Sequence, residues 1–313
     1  MDTLFVALLN GVIYGLLLFM VSAGLTLIFG MMGVLNFAHA SFYMLGAYFA
    51  YSLQGVVGFW PAVIASPLLV GVIGVVVERF FLRRVHHHGH AHELLLTFGL
   101  SFIIAESIKL FFGNFPVDYR IPAALDVPAF SLGGAQYPAY RLVMGGIAIA
   151  MFVAIYLLLT RTRVGIVVRS AIYKPRMAEA LGHNVPLVFM GVFGVGAALA
   201  GLAGAVAGAF YTTNPNMALE LGVMVFVVVV VGGLGSLGGA MLASLLIGVI
   251  TSLAVGIDRS LADLLALFGA GDWARGVGGL LTLKVSSLSA TIPFALMLLI
   301  LLVRPGGLMG EKG

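Results

Sequence analysis

Long apolar runs constrain the fold of this sequence more than any other feature. A membrane-spanning helix needs about 20 apolar residues. Runs near that length lie at 4–30, 34–56, 61–82, 94–113, 141–160, 187–211 and 290–303, and a glycine-split run at 221–257 adds one long or two short segments. Only 9% of the residues are charged, against about 25% in soluble domains. The sequence therefore predicts an all-α, polytopic membrane protein, one domain over 1–313, with eight or nine transmembrane segments that include broken or short helices.

Basic residues between these runs predict the orientation of the chain. Ten of the sixteen Lys and Arg residues lie in three groups: Arg79, Arg83 and Arg84; the segment 161–176; and Arg304 with Lys312. Cytoplasmic loops of membrane proteins are enriched in Lys and Arg. All three groups can be cytoplasmic if 94–113 and 141–160 form a helical hairpin, which makes 114–140 a periplasmic loop. With the C-terminus inside, nine crossings put the N-terminus outside and eight put it inside.

The segment 161–186 is the most charged stretch in the second half of the chain. It contains five Lys and Arg residues and a single acidic residue, Glu179. Its sequence predicts a short helix from about Pro175 to Leu181, because proline is favoured at the first position of a helix. We interpret 161–186 as a cytoplasmic loop that a soluble partner can reach, and as the coupling element of a transporter.

Several catalytic and cofactor-binding motifs are missing. No Gly-x-x-x-x-Gly-Lys-Ser/Thr segment occurs, so the chain has no nucleotide-binding P-loop and does not hydrolyse ATP itself. Neither Gly-x-Ser-x-Gly nor His-Glu-x-x-His is present, and there is no cysteine. The net charge of +4 lies beside the apolar runs, without the interleaved aromatic residues of a nucleic-acid surface. We predict no enzymatic activity, no cofactor and no nucleic-acid partner.

Polar residues interrupt the apolar sequence between the first two predicted helices. Asn36, His39, Ser41 and Tyr43 lie within a glycine-rich, otherwise apolar stretch. A polar group at membrane depth needs a partner or a wet cavity. One interpretation is a broken helix that lines a substrate path. The alternative is a short loop at the membrane boundary in which Asn36 and His39 cap and pack helix ends.

Other ionisable side chains also have two interpretations. Glu106 and Lys109 are three residues apart on one predicted helix and can pair, whereas a proton-coupled carrier would need an unpaired acid. The five histidines between 86 and 92 could bind Zn, Ni or Cu. Because Glu93 is the one carboxylate nearby, we predict a solvated loop and no metal site.

Glycines form two patterns with structural consequences. Small residues allow transmembrane helices to pack closely, and one apolar run carries a stripe of them that predicts a packing face: Gly194, Gly201, Gly204 and Gly208. The run 232–239 has the composition of a phosphate-binding loop, but it lacks a preceding strand and a lysine, which favours a tight bend between two membrane segments. In the loop 114–140, short stretches around Gly133-Gly134 predict a β-hairpin.

Five segments together resemble one family, in order along nearly the whole chain. They are Gly24–Gly30 with Asn36–His39 and Met44–Tyr48, Arg163–Gly165 with Ala180–Gly182, Gly196–Gly204, Gly232–Gly238, and Leu302–Gly310. Each is weak alone, but all five in register are specific. They resemble the inner-membrane permeases of branched-chain amino-acid ABC transporters, the LivH type. The histidine tract and a long outer loop at 256–289 depart from that pattern.

The resemblance implies a multi-pass permease of the bacterial inner membrane that imports branched-chain or related hydrophobic amino acids. It implies a second homologous permease, two cytoplasmic ATPases and a periplasmic substrate-binding protein as partners. It also implies the residues of a coupling surface: Arg163, Arg169, Arg176, Ala178, Glu179, Ala180, Leu181 and Gly182.

Three alternatives to this function differ in what they require of the sequence. The same machinery could carry an amide, urea, a dicarboxylate or an aromatic acid, because similar permeases serve such solutes. An ion-coupled secondary transporter would need an essential carboxylate within the membrane, and Glu106 is almost the sole candidate. A membrane-embedded enzyme or scaffold would need catalytic polar residues clustered at one depth, and the sequence shows no such cluster.

Overall fold

Helices make up most of the computed structural model, which describes residues 2–132, 135–256, 260–266 and 269–310. The longer helices are α1 (Asp2–Met32), α2 (His39–Val57), α3 (Phe59–Val77), α5 (His90–Phe112), α6 (Ala139–Arg161), α9 (Val185–Ala207), α10 (Met217–Gly232), α11 (Leu237–Gly256) and α14 (Ile292–Val303). The shorter ones are α4 (Arg83–Val85), α7 (Arg163–Tyr173), α8 (Pro175–Ala180), α12 (Leu261–Ala266) and α13 (Gly271–Val277). Two strands, β1 (Pro128–Leu132) and β2 (Ala135–Pro138), lie between α5 and α6, and short 3-10 or π-helical turns occur at Glu78–Leu82, His86–His88, Ala123–Leu125, Gly279–Thr282 and Val285–Leu288.

Six of the described helical segments are long and apolar enough to cross a membrane. They are Leu4–Met32, Phe59–His88, His90–Phe112, Ala139–Arg161, Val185–Ala207 and Leu237–Gly256. Two shorter apolar helices, α10 and α14, accompany them. These helices confirm the predicted polytopic all-α membrane protein, while the count of eight or nine crossings stays a prediction.

The basic groups meet at one end of the bundle. Arg83 donates a hydrogen bond from Nη2 to the carbonyl oxygen of Pro186 at 2.8 Å, which joins the end of the α3 segment to the start of α9. At the same end, the Leu308 backbone amide bonds the Val231 carbonyl oxygen at 2.8 Å. Gly30, near the end of α1, packs against Gly235 in the α10–α11 turn. The N-terminal end of α1 therefore lies opposite the C-terminal end of α14, the arrangement that nine crossings require. Lys312 lies outside the described residues.

The central helix of the bundle is α9, which packs against α1, α2 and α3. The four glycines of the predicted stripe each face a neighbouring atom at short range. A Cβ added to Gly194 would lie 2.6 Å from Val75 Cγ2, and one on Gly201 would lie 2.9 Å from Val70 Cβ. A Cβ on Gly204 would overlap the carbonyl oxygen of Tyr43, and one on Gly208 would lie 2.8 Å from Ala47 Cβ. These approaches leave no room for a side chain on that face of α9.

The chain between α1 and α2 turns back into the bundle. Gly33, with φ +66°, ends α1, and α2 then begins at His39, beside Val21 of α1. Val21 is eleven residues before the end of α1, a distance of about 16 Å along a helix. The first turn of α2 is therefore placed well inside the apolar part of the bundle. A second break, in the run 221–257, separates α10 from α11 at Gly233 and Gly235, where φ is +100° and +84°.

The loop 114–140 contains the predicted hairpin. Strands β1 and β2 pair antiparallel, with Phe130 opposite Tyr137, and the Gly133-Gly134 turn lies outside the described residues. The hydroxyl of Tyr119 donates to the Ala205 carbonyl oxygen at 2.7 Å, and that of Tyr140 donates to the Val206 carbonyl oxygen at 2.7 Å. Burial raises the pKa of the Tyr119 phenol. These bonds fix the loop to the last turn of α9.

The segment 256–289 carries α12 and α13. Asp263 accepts hydrogen bonds from the Ser260 backbone amide and hydroxyl, both at 2.9 Å, and from Arg275 at 3.1 Å. These donors hold the pKa of Asp263 below its ordinary value, the Ser260 amide being the first cause. The contacts join α12 to α13 at this surface.

Candidate translocation cavity and coupling surface

A cavity of about 340 Å³ lies between the start of α2, α5 and α10. Most of its wall is apolar, and Phe37 stacks on Phe226 with ring centroids 6.0 Å apart. Its polar side chains are Asn36, His39, Ser41, Ser101, Glu106, Lys109 and Asn216. Small-molecule sites commonly have this size and this mixture of an apolar wall with a few polar groups.

Asn36 and His39 line this cavity, and each carries one buried polar atom that lacks a protein partner. His39 is 1% exposed, and its Nε2 lies 2.9 Å from the Val21 carbonyl oxygen. Because a carbonyl oxygen only accepts, Nε2 carries the proton and Nδ1 is left as an acceptor. Asn36 is 4% exposed, and its Oδ1 accepts from the Ala38 amide at 3.0 Å. Within the described part of the protein, Asn36 Nδ2 and His39 Nδ1 have no hydrogen-bond partner, so the site offers one buried donor and one buried acceptor.

Tyr43 is separated from the other three residues that the sequence grouped as a substrate path. It does not line this cavity, whereas Asn36, His39 and Ser41 do. Tyr43 is 1% exposed within the main apolar core, and its carbonyl oxygen faces Gly204 of α9. The part that Asn36, His39, Ser41 and Tyr43 have in transport stays a prediction.

The mouth of the cavity carries an ion pair. Lys109 Nζ lies 2.7 Å from Glu106 Oε1, and the Glu106 side chain is 65% exposed. This pairing neutralises the carboxylate. Glu106 therefore does not have the unpaired character that a proton-binding site in the membrane needs.

Helix α7 within the loop 161–186 was not predicted from the sequence. It is amphipathic: Val168 and Ala171 are buried, whereas Arg163 and Arg169 are exposed. Its N-cap is Thr162, whose hydroxyl accepts from the Gly165 amide at 3.2 Å. The apolar spacing in 164–171 is the sequence signal for this helix, and the surrounding arginines obscured it.

Two of the predicted coupling arginines lie on α7, apart from α8. Arg163 is the first residue of this helix. The Arg169 guanidinium donates a hydrogen bond to the Leu159 carbonyl oxygen at 2.6 Å, which satisfies a carbonyl near the end of α6. The Arg169 side chain therefore has a hydrogen-bond partner within this subunit.

Helix α8 covers most of the segment 175–181 that was predicted to be helical, and it stands at the surface. Ala178 is 2% exposed and packs with Ala171 of α7 and Val185 of α9. The other predicted coupling residues on this element, Arg176, Glu179, Ala180, Leu181 and Gly182, are exposed. Gly182 ends the helix with φ +86°, and the His183 amide bonds the Ala178 carbonyl oxygen at 3.0 Å, a glycine-terminated helix end. One face of α8 is therefore buried against α7 and α9, and its opposite face is exposed.

A second cavity, of about 320 Å³, lies behind α8, and its lining includes two buried carboxylates, Glu78 and Glu93. Glu78 was not singled out from the sequence, and Glu93 was noted there without a prediction of its burial. The Glu78 side chain is 3% exposed and pairs with Arg83 at 2.9 Å. The Glu93 side chain is 2% exposed; its Oε1 contacts His86 Nδ1, and its Oε2 lies 3.2 Å from His90 Nδ1. All five histidines of the tract are exposed, but they lie on helical turns on either side of Gly89 rather than in the predicted loop, and two of them bind a buried acid.

A bundle of helices packed at glycines, a cavity inside its apolar region and a short helix exposed at its basic end together fit a membrane transport permease. The comparisons with known proteins agree with that class. Residues 7–301 match the family described as branched-chain amino acid transport system / permease component. The chain therefore belongs to the branched-chain amino-acid transport permease family.

Relatives of known name extend over nearly the whole chain. The high-affinity branched-chain amino acid transport system permease protein LivH of Salmonella typhimurium is 26% identical, over 96% of this chain and 94% of its own length. BraD of Pseudomonas aeruginosa, named as the same kind of permease, is 27% identical over 97% and 95%. Among solved structures, PsaBC from Streptococcus pneumoniae in complex with Fab aligns over 95% of this chain and 91% of its own, with TM-score 0.46 and 11% identity.

Proposed function

We propose that this chain is one of two membrane subunits of an ABC importer in the bacterial inner membrane. Its family and the names of its relatives support a solute from the branched-chain or related hydrophobic amino acids. Since the sequence has no P-loop, two cytoplasmic ATPases supply the energy. A second homologous permease and a periplasmic substrate-binding protein complete the transporter.

The observation that carries this proposal is the exposed face of α8. Met177 and Leu181 are 58% and 74% exposed at the basic end of the bundle. Exposed large apolar residues that adjoin one another mark a surface for a protein partner. We assign this face, with Arg176 and Glu179 beside it, to the ATPase.

The packing of α8 supports a route from the ATPase to the cavity. Ala178 of α8 contacts Val185, near the start of α9. Further along α9, the close glycine contacts join it to α1 and α2, and α2 carries His39 in the cavity wall. A displacement of α8 is therefore transmitted through packed elements, because a densely packed interior transmits strain rather than absorbing it.

The cavity suits transient contact with a small solute rather than tight binding. A charged group in the membrane is costly unless it is paired, and the unpartnered groups here are the neutral atoms Asn36 Nδ2 and His39 Nδ1. High-affinity selection is assigned to the substrate-binding protein. Apolar residues of α5 and α10 at the cavity are exposed, among them Phe98, Phe102, Leu219 and Val223, and we assign this face to the second permease.

Another small organic solute carried by the same machinery is the second candidate, because the largely apolar cavity does not select a single side chain. An ion-coupled carrier is less well supported, since Glu106 is paired and exposed.

Purification of the tagged chain in mild detergent, with mass spectrometry of what accompanies it, tests the proposal. We expect a second permease and ATPase subunits. The ligand found in the accompanying substrate-binding protein then identifies the solute. A chain that purifies alone and transports a solute in liposomes under an ion gradient would overturn the proposal.

A further inference from the structure

A groove separate from the translocation cavity runs along the bundle at its basic end. It has a volume of about 440 Å³ and lies between α1, the end of α6, α7 and the first half of α9. Among the described residues, the lining is apolar except for Arg163. Representative side chains of the wall are Leu27, Leu158, Val167, Leu187 and Val192.

The groove runs along the first half of α9. Along α9 its lining runs from Leu187, close to the start of the helix, to Val195. Eight residues of helix span about 12 Å. Leu187 is 57% exposed and Val195 is 47% exposed, so the groove opens sideways on the face that an apolar helix turns to lipid.

Positive charge without an acidic counterpart surrounds the mouth of the groove. Neither Arg161 nor Arg163 forms an ion pair within the described part of the chain. Leu187 also lines a smaller neighbouring cavity whose wall includes Arg79. An apolar slot that ends beside guanidinium groups is complementary to a ligand with an apolar tail and an anionic head.

We infer that this groove binds one acyl chain of an anionic phospholipid whose phosphate contacts Arg163. Basic residues at the membrane surface attract anionic lipid headgroups. Because α7 leads directly into α8, a lipid in this position braces the coupling loop from the membrane side. The inference does not depend on which solute the protein transports.

The test compares variants of the purified, partner-bound transporter in nanodiscs of equal phosphatidylglycerol and phosphatidylcholine. After mild extraction, native mass spectrometry counts the lipids that each variant retains. Gly191→Leu fills the groove, since a Cβ at Gly191 has no heavy atom within 4 Å. Gly146→Leu, on exposed α6 surface with equally open space, is the matched volume control. Arg163→Gln removes the headgroup contact, and Arg84→Gln, which lines neither cavity, is the charge control.

We expect the unmodified protein to retain phosphatidylglycerol preferentially. Arg163→Gln should reduce that preference about fivefold, the effect of one basic residue at the surface, and Gly191→Leu should abolish retention. Both controls should match the unmodified protein.

Equal retention of the two lipids, or retention that neither Gly191→Leu nor Arg163→Gln lowers, would overturn the inference. Crosslinks from the groove to a partner subunit would also overturn it. If Gly191→Leu is not monodisperse, the smaller substitution Gly191→Ala is tested instead. A partial loss of retained phosphatidylglycerol would support the inference, and no loss would overturn it.

Discussion

The imidazole of His39 donates a hydrogen bond from Nε2 to the carbonyl oxygen of Val21, across 2.9 Å in the interior of the bundle. This contact fixes the start of α2 about 16 Å inside the end of α1. His39 Nδ1 and Asn36 Nδ2 are buried without a partner among the described residues, and both residues line the cavity. The substrate-path interpretation predicts that these two atoms contact the solute.

Replacing His39 or Asn36 with alanine should lower uptake about tenfold, because a hydrogen bond is worth about 1–1.5 kcal/mol. Uptake of labelled solute into cells measures this, with the amount of protein in the membrane checked by immunoblot. Ser66→Ala is the control, because Ser66 carries a buried, unpartnered hydroxyl on α3 away from the cavity. Normal uptake by both cavity variants would assign Asn36 and His39 to helix packing alone.

Gly204→Ala should destabilise the protein by about 1–3 kcal/mol, the usual effect of overpacking. The added methyl would overlap the Tyr43 carbonyl oxygen, which is backbone and cannot rotate away. Gly191→Ala on the same helix meets no atom within 4 Å and should leave stability nearly unchanged. Thermal unfolding in detergent compares the two, and equal midpoints would show that α2 and α9 are not packed as described.

Gly182→Val should uncouple ATP hydrolysis from uptake. At φ +86° a side chain costs about 1–2 kcal/mol, and the change lies at the end of α8. Gly113→Val, at φ +83° and ψ −176°, introduces at least as much backbone strain at the other end of the bundle, where space is equally open. The ratio of solute imported to ATP hydrolysed should fall for Gly182→Val and not for Gly113→Val. A similar ratio of solute imported to ATP hydrolysed in both variants would show that the end of α8 has no part in coupling.

Paired substitution of His86 and His90 with serine should lower stability by about 1–3 kcal/mol, because it leaves the buried Glu93 carboxylate without those partners. His88 and His92 contact each other rather than Glu93, so their double serine variant should unfold at the normal temperature. Differential scanning fluorimetry distinguishes the pairs. Equal unfolding midpoints for the two double variants would show that His86 and His90 do not stabilise the protein through Glu93.

The sequence was most informative about features that depend on the residues of a single helix. The apolar runs and the glycine spacing predicted the bundle and placed four small residues on one side of α9, because helix periodicity is local. The turn at Gly233 and the end of α8 followed from glycine and proline for the same reason.

Contacts between separate elements were less predictable. Tyr43 and His39 are four residues apart and share a face of α2 by spacing, yet Tyr43 packs against Gly204, and only the position of α9 decides that. The pairing of His86 with Glu93 depends on the turn at Gly89, where φ is +95°. No helical spacing predicts that pairing.

The most direct test of the account is co-purification of the ATPase with a variant of α8. Leu181→Asp places a charge on the exposed apolar residue of the proposed docking face, and Leu283→Asp makes the same change at an exposed residue of the outer segment 256–289. We predict that Leu181→Asp loses most of the ATPase while retaining the second permease, and that Leu283→Asp retains both. Unchanged recovery of the ATPase with Leu181→Asp would contradict the assignment of α8 as the coupling surface.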